Sequence, residues 1–280
     1  MWPDSLGVVG LGALGAALAW RARAAGVPRV IGYSATPAIA VQALKAGAIT
    51  ERADTPARAV RGARLVVLSG TPAEVVQLID VVAPHLDPDA FLTDLAGAKV
   101  AVLHAVRSAG LAARYAGLHA VVSPEEPGFR GARPDLLRGA IIYVTADSIG
   151  ETARQTMRAF VSRVLEADPV VIEAEMHDRQ VAWTLELPRA AARALALTLA
   201  RAGLRGAAFD RAVRDVTAPA REAGADWEAK ALSSPEAVSA ALLALEWEVA
   251  RLRQAIQQGD AGALREMGDA AEAFSRAVAR

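Results

Sequence analysis

Three glycines near the amino terminus have the spacing of a phosphate-binding turn. They lie in the segment Gly10-Leu11-Gly12-Ala13-Leu14-Gly15, which follows an apolar run at residues 6–9 and opens an Ala-rich stretch. Between a strand and a helix, the first glycine permits a tight turn, the second lets backbone N–H groups approach a pyrophosphate, and the third allows close packing. The segment therefore predicts a dinucleotide-binding site at the helix N-terminus.

The residues after the second predicted strand bear on the choice between NAD and NADP. An acidic residue commonly stands there, about 20 residues after the glycines, and binds the ribose 2′-hydroxyl of NAD. This chain has Tyr33, Ser34, Ala35 and Thr36 instead. Because no carboxylate repels a 2′-phosphate and Ser34 and Thr36 can donate to one, we expect NADP or NAD, with a slight preference for NADP. The alternative is a surface turn leading to Pro37.

Small residues also follow the third predicted strand, in the segment Leu68-Ser69-Gly70-Thr71-Pro72. Small side chains at the carboxyl end of a strand leave room for a cofactor. We therefore count Ser69, Thr71 and Pro72 among the predicted cofactor-binding residues.

The first half of the chain alternates β-rich runs with Ala-rich helical stretches, which is typical of parallel βαβ units. Strands are predicted at residues 6–9, 30–33, 65–68, 90–94, 113–118, 141–145 and 169–173, with a helix at 151–166. After residue 175 only helical patterns follow. The sequence predicts an α/β fold: an N-terminal Rossmann-type doubly wound parallel sheet (1–150), a connecting helix and strand (151–174), and an all-helical C-terminal domain (175–280).

Composition restricts the class of partner. Lys plus Arg and Asp plus Glu number 31 each, so no net charge attracts nucleic acid or an anionic membrane. The absence of cysteine excludes disulfides and thiolate ligands, and the four histidines are too scattered to indicate a metal site. No apolar run reaches the roughly 20 residues of a membrane-spanning helix. We expect a cytoplasmic protein with a small-molecule substrate and no metal.

Two C-terminal segments, residues 190–202 and 238–256, carry more apolar side chains than a solvent-facing helix needs. Apolar surface of this kind is commonly buried between subunits. We therefore predict a homodimer formed through the C-terminal helices, which makes this region a dimerisation domain.

Several segments occur in a specific order along the chain. Thr71-Pro72 is followed by Thr-Asp-Leu-Ala-Gly-Ala-Lys at residues 93–99 and Gly-Leu-His-Ala-Val-Val-Ser-Pro-Glu at residues 117–125. Later matches are Gly128-Phe129, Asp135-Leu136, His177-Asp178, and Arg214-Asp215 with Trp227. In this register the chain resembles the prephenate and arogenate dehydrogenases of tyrosine biosynthesis. These enzymes have Thr-Asp-Val-Gly-Ser-Val-Lys and Gly-x-His-Pro-Met-Ala-Gly-x-Glu at the two longer segments.

The resemblance implies oxidative decarboxylation of a cyclohexadienyl acid with NAD(P), in which a histidine accepts the proton of the ring hydroxyl. His119, just after the strand at residues 113–118, matches that catalytic histidine, and an imidazole pKa of about 6.5 suits the task. Lys99 and Glu125 match on the substrate side. Lys99 can instead anchor a helix start or the cofactor-side loop. The charge of Glu125 would gate the pocket, and the alternative is an ordinary solvated acidic pair with Glu126. We assign structural or surface roles to His85, His104 and His177.

The chain departs from this family where the family holds its substrate. The serine of the Gly-Ser-Val-Lys segment is Gly97, and an arginine expected after Thr217 is Ala218, which removes a carboxylate clamp. The family's Ser-His-x-Pro-His becomes Leu-Glu-Leu-Pro-Arg, so that two histidines are replaced by Glu186 and Arg189. We predict that Arg189 binds a substrate carboxylate and Glu186 an ammonium group, which arogenate carries and prephenate lacks. The alternative is a mutual salt bridge.

Three functions therefore stay open. The chain is a prephenate or arogenate dehydrogenase-like enzyme, a dehydrogenase on another hydroxy or amino acid, or a dinucleotide-binding dimer without catalysis. The first is favoured by family segments that match in order and spacing along the whole chain. The altered substrate positions favour the second. His119 argues against the third.

Overall fold

The structure is a computed structural model that describes residues 3–122, 125–126, 128–203, 209–221 and 224–278. The chain divides into two compact units. The first comprises Met1–Val181 and Glu222–Ser234, and the second comprises Ala182–Arg221 and Pro235–Arg280. The sequence-based domain limits at residues 150 and 175 stay a prediction.

The first unit is built on one sheet, which has eight strands within the described residues. The strands are β1 (Ser5–Val9), β2 (Arg29–Tyr33), β3 (Glu51–Arg52), β4 (Leu65–Leu68), β5 (Phe91–Asp94), β6 (Tyr115–Ala120), β7 (Ile141–Thr145) and β8 (Asp168–Ile172). Their order is β3-β2-β1-β4-β5-β6-β7-β8, and β1 to β6 run parallel. The predicted Rossmann-type α/β fold is confirmed.

The far edge of the sheet differs from the parallel sheet that we predicted. β7 runs antiparallel to β6, and β8 runs parallel to β7, so these two strands oppose the other six. A parallel return needs a long crossover, usually a helix. The described residues between β6 and β7 contain only a short 3₁₀ turn, Gly128–Gly131, and the chain therefore re-enters the sheet from the edge at which β6 ends.

Helices cover both faces of the sheet. They are α1 (Ala13–Ala24), α2 (Pro37–Lys45), α3 (Pro56–Val60), α4 (Pro72–Val82), α5 (Val100–Ser108), α6 (Glu151–Ala159) and α7 (Ala174–Val181). Alternate strand residues belong to different apolar clusters: Val67 packs with α1 and α2, while Val66 packs with α3, α4 and α5. Because successive strand side chains point to opposite faces, this alternation buries both sides of the sheet.

All regular secondary structure among the described residues of the second unit is helical, as predicted for the C-terminal region. A π-helical turn at Ala182–Glu186 leads into α8 (Leu187–Arg201), which is followed by α9 (Arg211–Thr217), α11 (Pro235–Gln258) and α12 (Ala261–Val278). The intervening α10 (Gly224–Ala231) belongs to the first unit, where it contacts α4. None of the described helices is long and apolar enough to cross a membrane.

Candidate active site

The glycine turn lies between the carboxyl end of β1 and the start of α1, and two of its glycines leave no room for a side chain. Gly10 has a φ of +103°, and a Cβ there would lie 1.9 Å from the Ser69 carbonyl oxygen. A Cβ at Gly15 would lie 2.0 Å from the Gly10 carbonyl oxygen. Gly10 and Gly15 therefore lie directly against Ser69, the residue that follows β4. The side chains of Leu11 and Ala13 are buried in the core, and Leu14 packs against it.

Gly12 differs from the other two glycines because its missing side chain faces open space. A Cβ at Gly12 would meet no heavy atom within 4 Å. Gly12 is the N-cap of α1, no side chain caps this helix, and its first turn has no acidic residue. The first N–H groups of a helix lack intrahelical acceptors and attract anions. The turn therefore fits the pyrophosphate of a dinucleotide.

Ser34 and Thr36 follow the end of β2. The Thr36 backbone N–H donates to Ser34 Oγ at 3.2 Å, and Thr36 is exposed at the N-cap of α2 without a capping bond from its own side chain. The neighbouring β3, which we did not predict, places Arg52 in register with Gly32. A two-residue strand of charged residues carries no apolar pattern, so this arginine could not be placed from the sequence.

Thr71 and Pro72 start α4. Thr71 forms a capping box with Glu74: the Thr71 N–H donates to Glu74 Oε2 at 2.7 Å, and the Glu74 N–H donates to Thr71 Oγ1 at 3.3 Å. Pro72 is the buried first residue of the helix. Ser69 lies against Gly10 and Gly15 beneath the glycine turn. Contacts of these three residues with a cofactor stay a prediction.

His119 lies inside β6, because this strand continues to Ala120, two residues beyond the predicted strand end at residue 118. Its Nδ1 is 2.9 Å from His177 Nε2, and His177 Nδ1 is 2.7 Å from Asp178 Oδ1. Asp178 accepts the backbone N–H groups of Lys99 at 2.7 Å and Val100 at 3.0 Å, where α5 begins. β6 and β1 end at the same edge of the sheet, so this chain of groups lies on the edge that carries the glycine turn.

Burial and hydrogen bonding set the charges of the two inner residues of this chain. Burial lowers the pKa of His177, and the nearby Lys99 lowers it further, against the opposing effect of the Asp178 carboxylate. Burial alone would raise the pKa of Asp178. The hydrogen bonds from His177 and from the N–H groups of Val100 and Lys99 outweigh burial, so the pKa of Asp178 is lowered. Near neutral pH His177 is therefore neutral and Asp178 is anionic.

Lys99, predicted on the substrate side, is fully buried. Its ammonium donates to Asp94 Oδ1 at 2.6 Å and to the Leu118 carbonyl oxygen at 2.7 Å. Tyr115 donates to the other Asp94 oxygen at 2.6 Å. Burial lowers the pKa of Lys99, while burial and the Asp94 charge raise that of Tyr115. These bonds join β5 to β6, and a direct substrate contact by Lys99 stays a prediction.

Gly97 and Tyr143 lie beside the His119 ring. A Cβ at Gly97 would be 3.9 Å from His119 Nε2, an ordinary contact distance. Tyr143 is paired with His119 across β6 and β7, and its ring centroid is 6.3 Å from that of His119. The Gln180 side chain donates to the Tyr143 hydroxyl at 2.8 Å. The Nε2 side of His119 therefore faces the position at which the family motif has a serine.

The other predicted substrate residues form ion pairs. Glu125 is exposed, and its Oε1 is 2.9 Å from Arg133 Nη1; Ser123 and Pro124 of the same motif lie outside the described residues. In the second unit, the Arg189 guanidinium donates to the buried Glu186 at 2.8 Å, which is the salt bridge considered as the alternative. Substrate contacts of Glu125, Glu186 and Arg189 stay predictions.

The main residues missed from the sequence are His177 and Asp178. Of the structural or surface role predicted for His177, the surface alternative is wrong, because the side chain is fully buried and bonds to His119. Their signal was an adjacent His-Asp pair at the start of a helix. A single sequence does not show that α7 packs against α5 and β7, and this packing is what brings the pair to His119.

Solved structures of other proteins share this fold. The structure is similar to the prephenate dehydrogenase of A. aeolicus in complex with hydroxyphenyl propionate and NAD+, with a TM-score of 0.91 and 20% identity over 99% of both chains. It is also similar to Synechocystis arogenate dehydrogenase, with a TM-score of 0.86 and 21% identity over 98% of this chain and 99% of that chain. No curated protein sequence matches the chain.

The sequence itself matches a family model. The model describes the nucleotide-binding domain of prephenate dehydrogenase, and it matches residues 16–172. The match begins inside α1, after β1 and the glycine turn, and runs to the end of β8. It includes Lys99 and His119. Because it covers more than half of the 280 residues, the chain belongs to the prephenate dehydrogenase family.

Proposed function

We propose that this protein oxidises and decarboxylates a cyclohexadienyl acid of the prephenate or arogenate type with NAD(P), and that His119 accepts the hydroxyl proton. The observation that carries the proposal is the position of His119. It lies on the sheet edge of the glycine turn, with Nε2 next to Gly97 and Nδ1 bonded to a buried His-Asp pair. A neutral imidazole in hydrogen-bond reach of a hydroxyl is a suitable general base.

Three parts of the chain have separate roles in this reaction: the start of α1, His119 and Lys99. The dinucleotide, when bound, supplies the acceptor for the hydride that leaves the carbon bearing the hydroxyl. The open N-terminus of α1 holds the pyrophosphate. His119 Nε2 takes the hydroxyl proton, so that an O–H bond breaks and an N–H bond forms. The C–C bond to the departing carbon dioxide then breaks, its electrons make the ring aromatic as a phenolate, and the phenolate takes the proton back from His119. The Lys99 ammonium connects β5 and β6 by its hydrogen bonds to Asp94 and to the Leu118 carbonyl oxygen.

A different hydroxy or amino acid is the second candidate substrate. The observation in its favour is the loss of family groups at Gly97 and Ala218, which removes a hydroxyl and a carboxylate clamp from the substrate side. Glu186 and Arg189 offer a carboxylate and a guanidinium, and a substrate that carries both an ammonium and a carboxylate suits that pair. Among the two family substrates, this favours arogenate over prephenate.

One assay separates these functions. Formation of reduced cofactor is followed by absorbance with prephenate, arogenate and a panel of hydroxy and amino acids, each with NAD and with NADP. Turnover of prephenate or arogenate that falls at least about 100-fold in His119→Asn, the usual effect of removing a general base, supports the proposal. Turnover of another acid alone supports the second candidate. Cofactor binding without any turnover would leave only a binding function.

We also propose a slight preference for NADP. No carboxylate occupies the end of β2, the hydroxyls of Ser34 and Thr36 lie there, and Arg52 is in register with Gly32 on the adjacent strand. Arg52 forms an exposed ion pair with Asp54 at 3.4 Å, which a phosphate can replace. Titration of both cofactors tests this preference. Arg52→Gln should weaken NADP binding and leave NAD binding unchanged, whereas equal affinities in the native protein contradict it.

A homodimer through the helical unit completes the proposal. On α11, Leu243 and Trp247 lie on one side and Leu252 and Ile256 on the opposite side, and these side chains are between 41% and 67% exposed. A helix that is apolar on opposite sides is normally buried. An apolar groove of about 950 Å³ beside Trp247 is lined by residues of the same unit. A second copy of the chain provides a matching apolar surface.

Sedimentation should therefore show a dimer. Trp247→Glu should shift it to the monomer, whereas Leu44→Glu, which changes an exposed leucine of α2 in the first unit, should leave it dimeric. A monomeric native protein contradicts the proposal.

A further inference from the structure

We propose that His177 and Asp178 are positioning residues that hold the proton of neutral His119 on Nδ1 and so keep Nε2 as a proton acceptor. What Nε2 accepts rests on the proposed function, whereas the protonation pattern follows from the geometry of the three side chains. The sequence predicted a positioning role for neither His177 nor Asp178.

The argument starts at Asp178, which is surrounded by donors. Its Oδ1 accepts the Lys99 N–H at 2.7 Å, and its Oδ2 accepts the Val100 N–H at 3.0 Å and the Ser234 hydroxyl at 3.2 Å. The backbone donors belong to the N-terminus of α5, which favours a negative charge. An ionised carboxylate only accepts hydrogen bonds. His177 Nδ1, 2.7 Å from Oδ1, must therefore carry a proton.

The protonation of His177 decides that of His119. His177 is fully buried, and the neutral form of a histidine has one N–H and one lone pair. With the proton on Nδ1, its Nε2 is an acceptor. His119 Nδ1 lies 2.9 Å from that atom, so it must be the donor. The lone pair of neutral His119 is then on Nε2, on the side of Gly97.

This arrangement prepares His119 before any substrate binds. A neutral imidazole with the proton on Nε2 could not accept one there, and a hydrogen bond at the other nitrogen is what selects the form. After proton transfer, the positive imidazolium still donates from Nδ1 to His177, with the Asp178 charge behind it. The proton stays on His119, and neither His177 nor Asp178 gains one. A buried aspartate that orients a catalytic histidine works by the same principle in serine proteases.

Nitrogen-15 NMR of the histidine side chains in the cofactor-free protein tests the protonation pattern directly. The chain has four histidines, so the spectrum is simple, and His104→Gln, which removes an exposed imidazole of α5, helps to assign it. Near pH 7.5 we expect both His119 and His177 to show a protonated Nδ1 and an unprotonated Nε2. A proton on Nε2 of neutral His119 overturns the inference, whether or not any substrate is turned over.

Two substitutions of His177 then separate positioning from a structural role. His177→Gln keeps an amide donor for Asp178 and an oxygen acceptor for His119 Nδ1, whereas His177→Leu keeps neither. We expect kcat to fall less than about 10-fold in the Gln variant and roughly 100- to 10,000-fold in the Leu variant, with KM little changed. The proton of His119 should move from Nδ1 only in the Leu variant.

Other outcomes of this comparison are equally decisive. Unchanged kcat in a folded Leu variant overturns the inference, and so does a Gln variant that is as slow as the Leu variant, because the proton would then pass through His177. If no family substrate is turned over by the native protein, the proposed function fails, while the NMR result still decides the positioning role.

Discussion

At the scale of single residues, Gly97 is where this chain departs from its family closest to the candidate base. A Cβ at this position would touch only His119 Nε2, at 3.9 Å. The backbone of Gly97 does not have a positive φ, so a larger residue is accommodated without strain. The glycine therefore leaves a space beside the base that a serine can fill.

Gly97→Ser should restore a hydroxyl beside His119 at little cost in stability. We expect the free energy of unfolding to change by less than about 0.5 kcal/mol. The value of kcat/KM for prephenate or arogenate should rise roughly 2- to 10-fold, which corresponds to one hydrogen bond. Gly97→Ala adds the Cβ without the hydroxyl and serves as the control. An equal rise in the Ala variant would show that the hydroxyl is not responsible.

Lys99 and Tyr115 give a second residue-scale prediction, because both donate to the buried Asp94. Lys99→Met leaves that carboxylate without its cation and should lower the free energy of unfolding by about 3–5 kcal/mol. Tyr115→Phe removes one hydrogen bond to a charge and should cost about 1.5–3 kcal/mol. Urea denaturation measures both. A Lys99→Met protein of native stability with a raised KM would instead show that Lys99 serves the substrate.

At the scale of elements, the start of α1 is the part of the fold at which we propose that the cofactor binds. Among the helices whose N-cap residue the structure describes, two begin at a glycine with open space around its Cβ position: α1 at Gly12, with φ −72°, and α6 at Gly150, with φ −67°. Neither backbone conformation requires glycine. The two positions therefore have similar local geometry, and only Gly12 lies at the proposed pyrophosphate site.

This pair provides a matched test of the cofactor site. Gly12→Ala should leave the melting temperature unchanged and weaken dinucleotide binding by 10-fold or more, because the new methyl group occupies the approach of the pyrophosphate. Gly150→Ala should change neither quantity. Cofactor fluorescence titration and thermal unfolding measure the two effects. Native affinity in Gly12→Ala would place the pyrophosphate elsewhere.

At the scale of the whole molecule, the free energy of unfolding should decrease in two steps as the pH is lowered. The groups that act on the His177 charge are Asp178 and Asp94, which favour the charged form, and Lys99, which disfavours it; burial outweighs them and lowers the pKa. A lowered histidine pKa means that stability is fully present above about pH 6.5 and is lost as pH falls through the folded-state pKa. Asp178, whose pKa is also lowered, adds a second loss that begins below about pH 4.

Denaturant unfolding between pH 4 and pH 8 measures the first step. We expect the denaturant concentration at the unfolding midpoint of the native protein to decrease as the pH is lowered below about 6.5. The decrease should be smaller in His177→Gln, which has no titrating group at this position. His104→Gln, at an exposed site, should follow the native curve. If the native protein and His177→Gln have the same pH dependence, His177 is not neutral in the folded protein.

The sequence alone was sufficient for the parts of the molecule that depend on local pattern. Short apolar runs between Ala-rich stretches predicted β1, β2, β4, β5, β7 and β8 within one residue at either end. The glycine spacing identified the turn before α1, and the motif around His119 identified the candidate base. These features are local because strand alternation, turn geometry and helix starts are decided by neighbouring residues.

Only the tertiary structure decided how distant residues complete the site. His119 and His177 are 58 residues apart in the sequence, and Lys99 and Asp178 are 79 apart, yet both pairs are hydrogen-bonded. The burial of Lys99 against Asp94 and the reversal of β7 likewise depend on how elements pack. Local pattern therefore predicted the base, whereas packing between elements determined which of its nitrogens is ready to accept a proton.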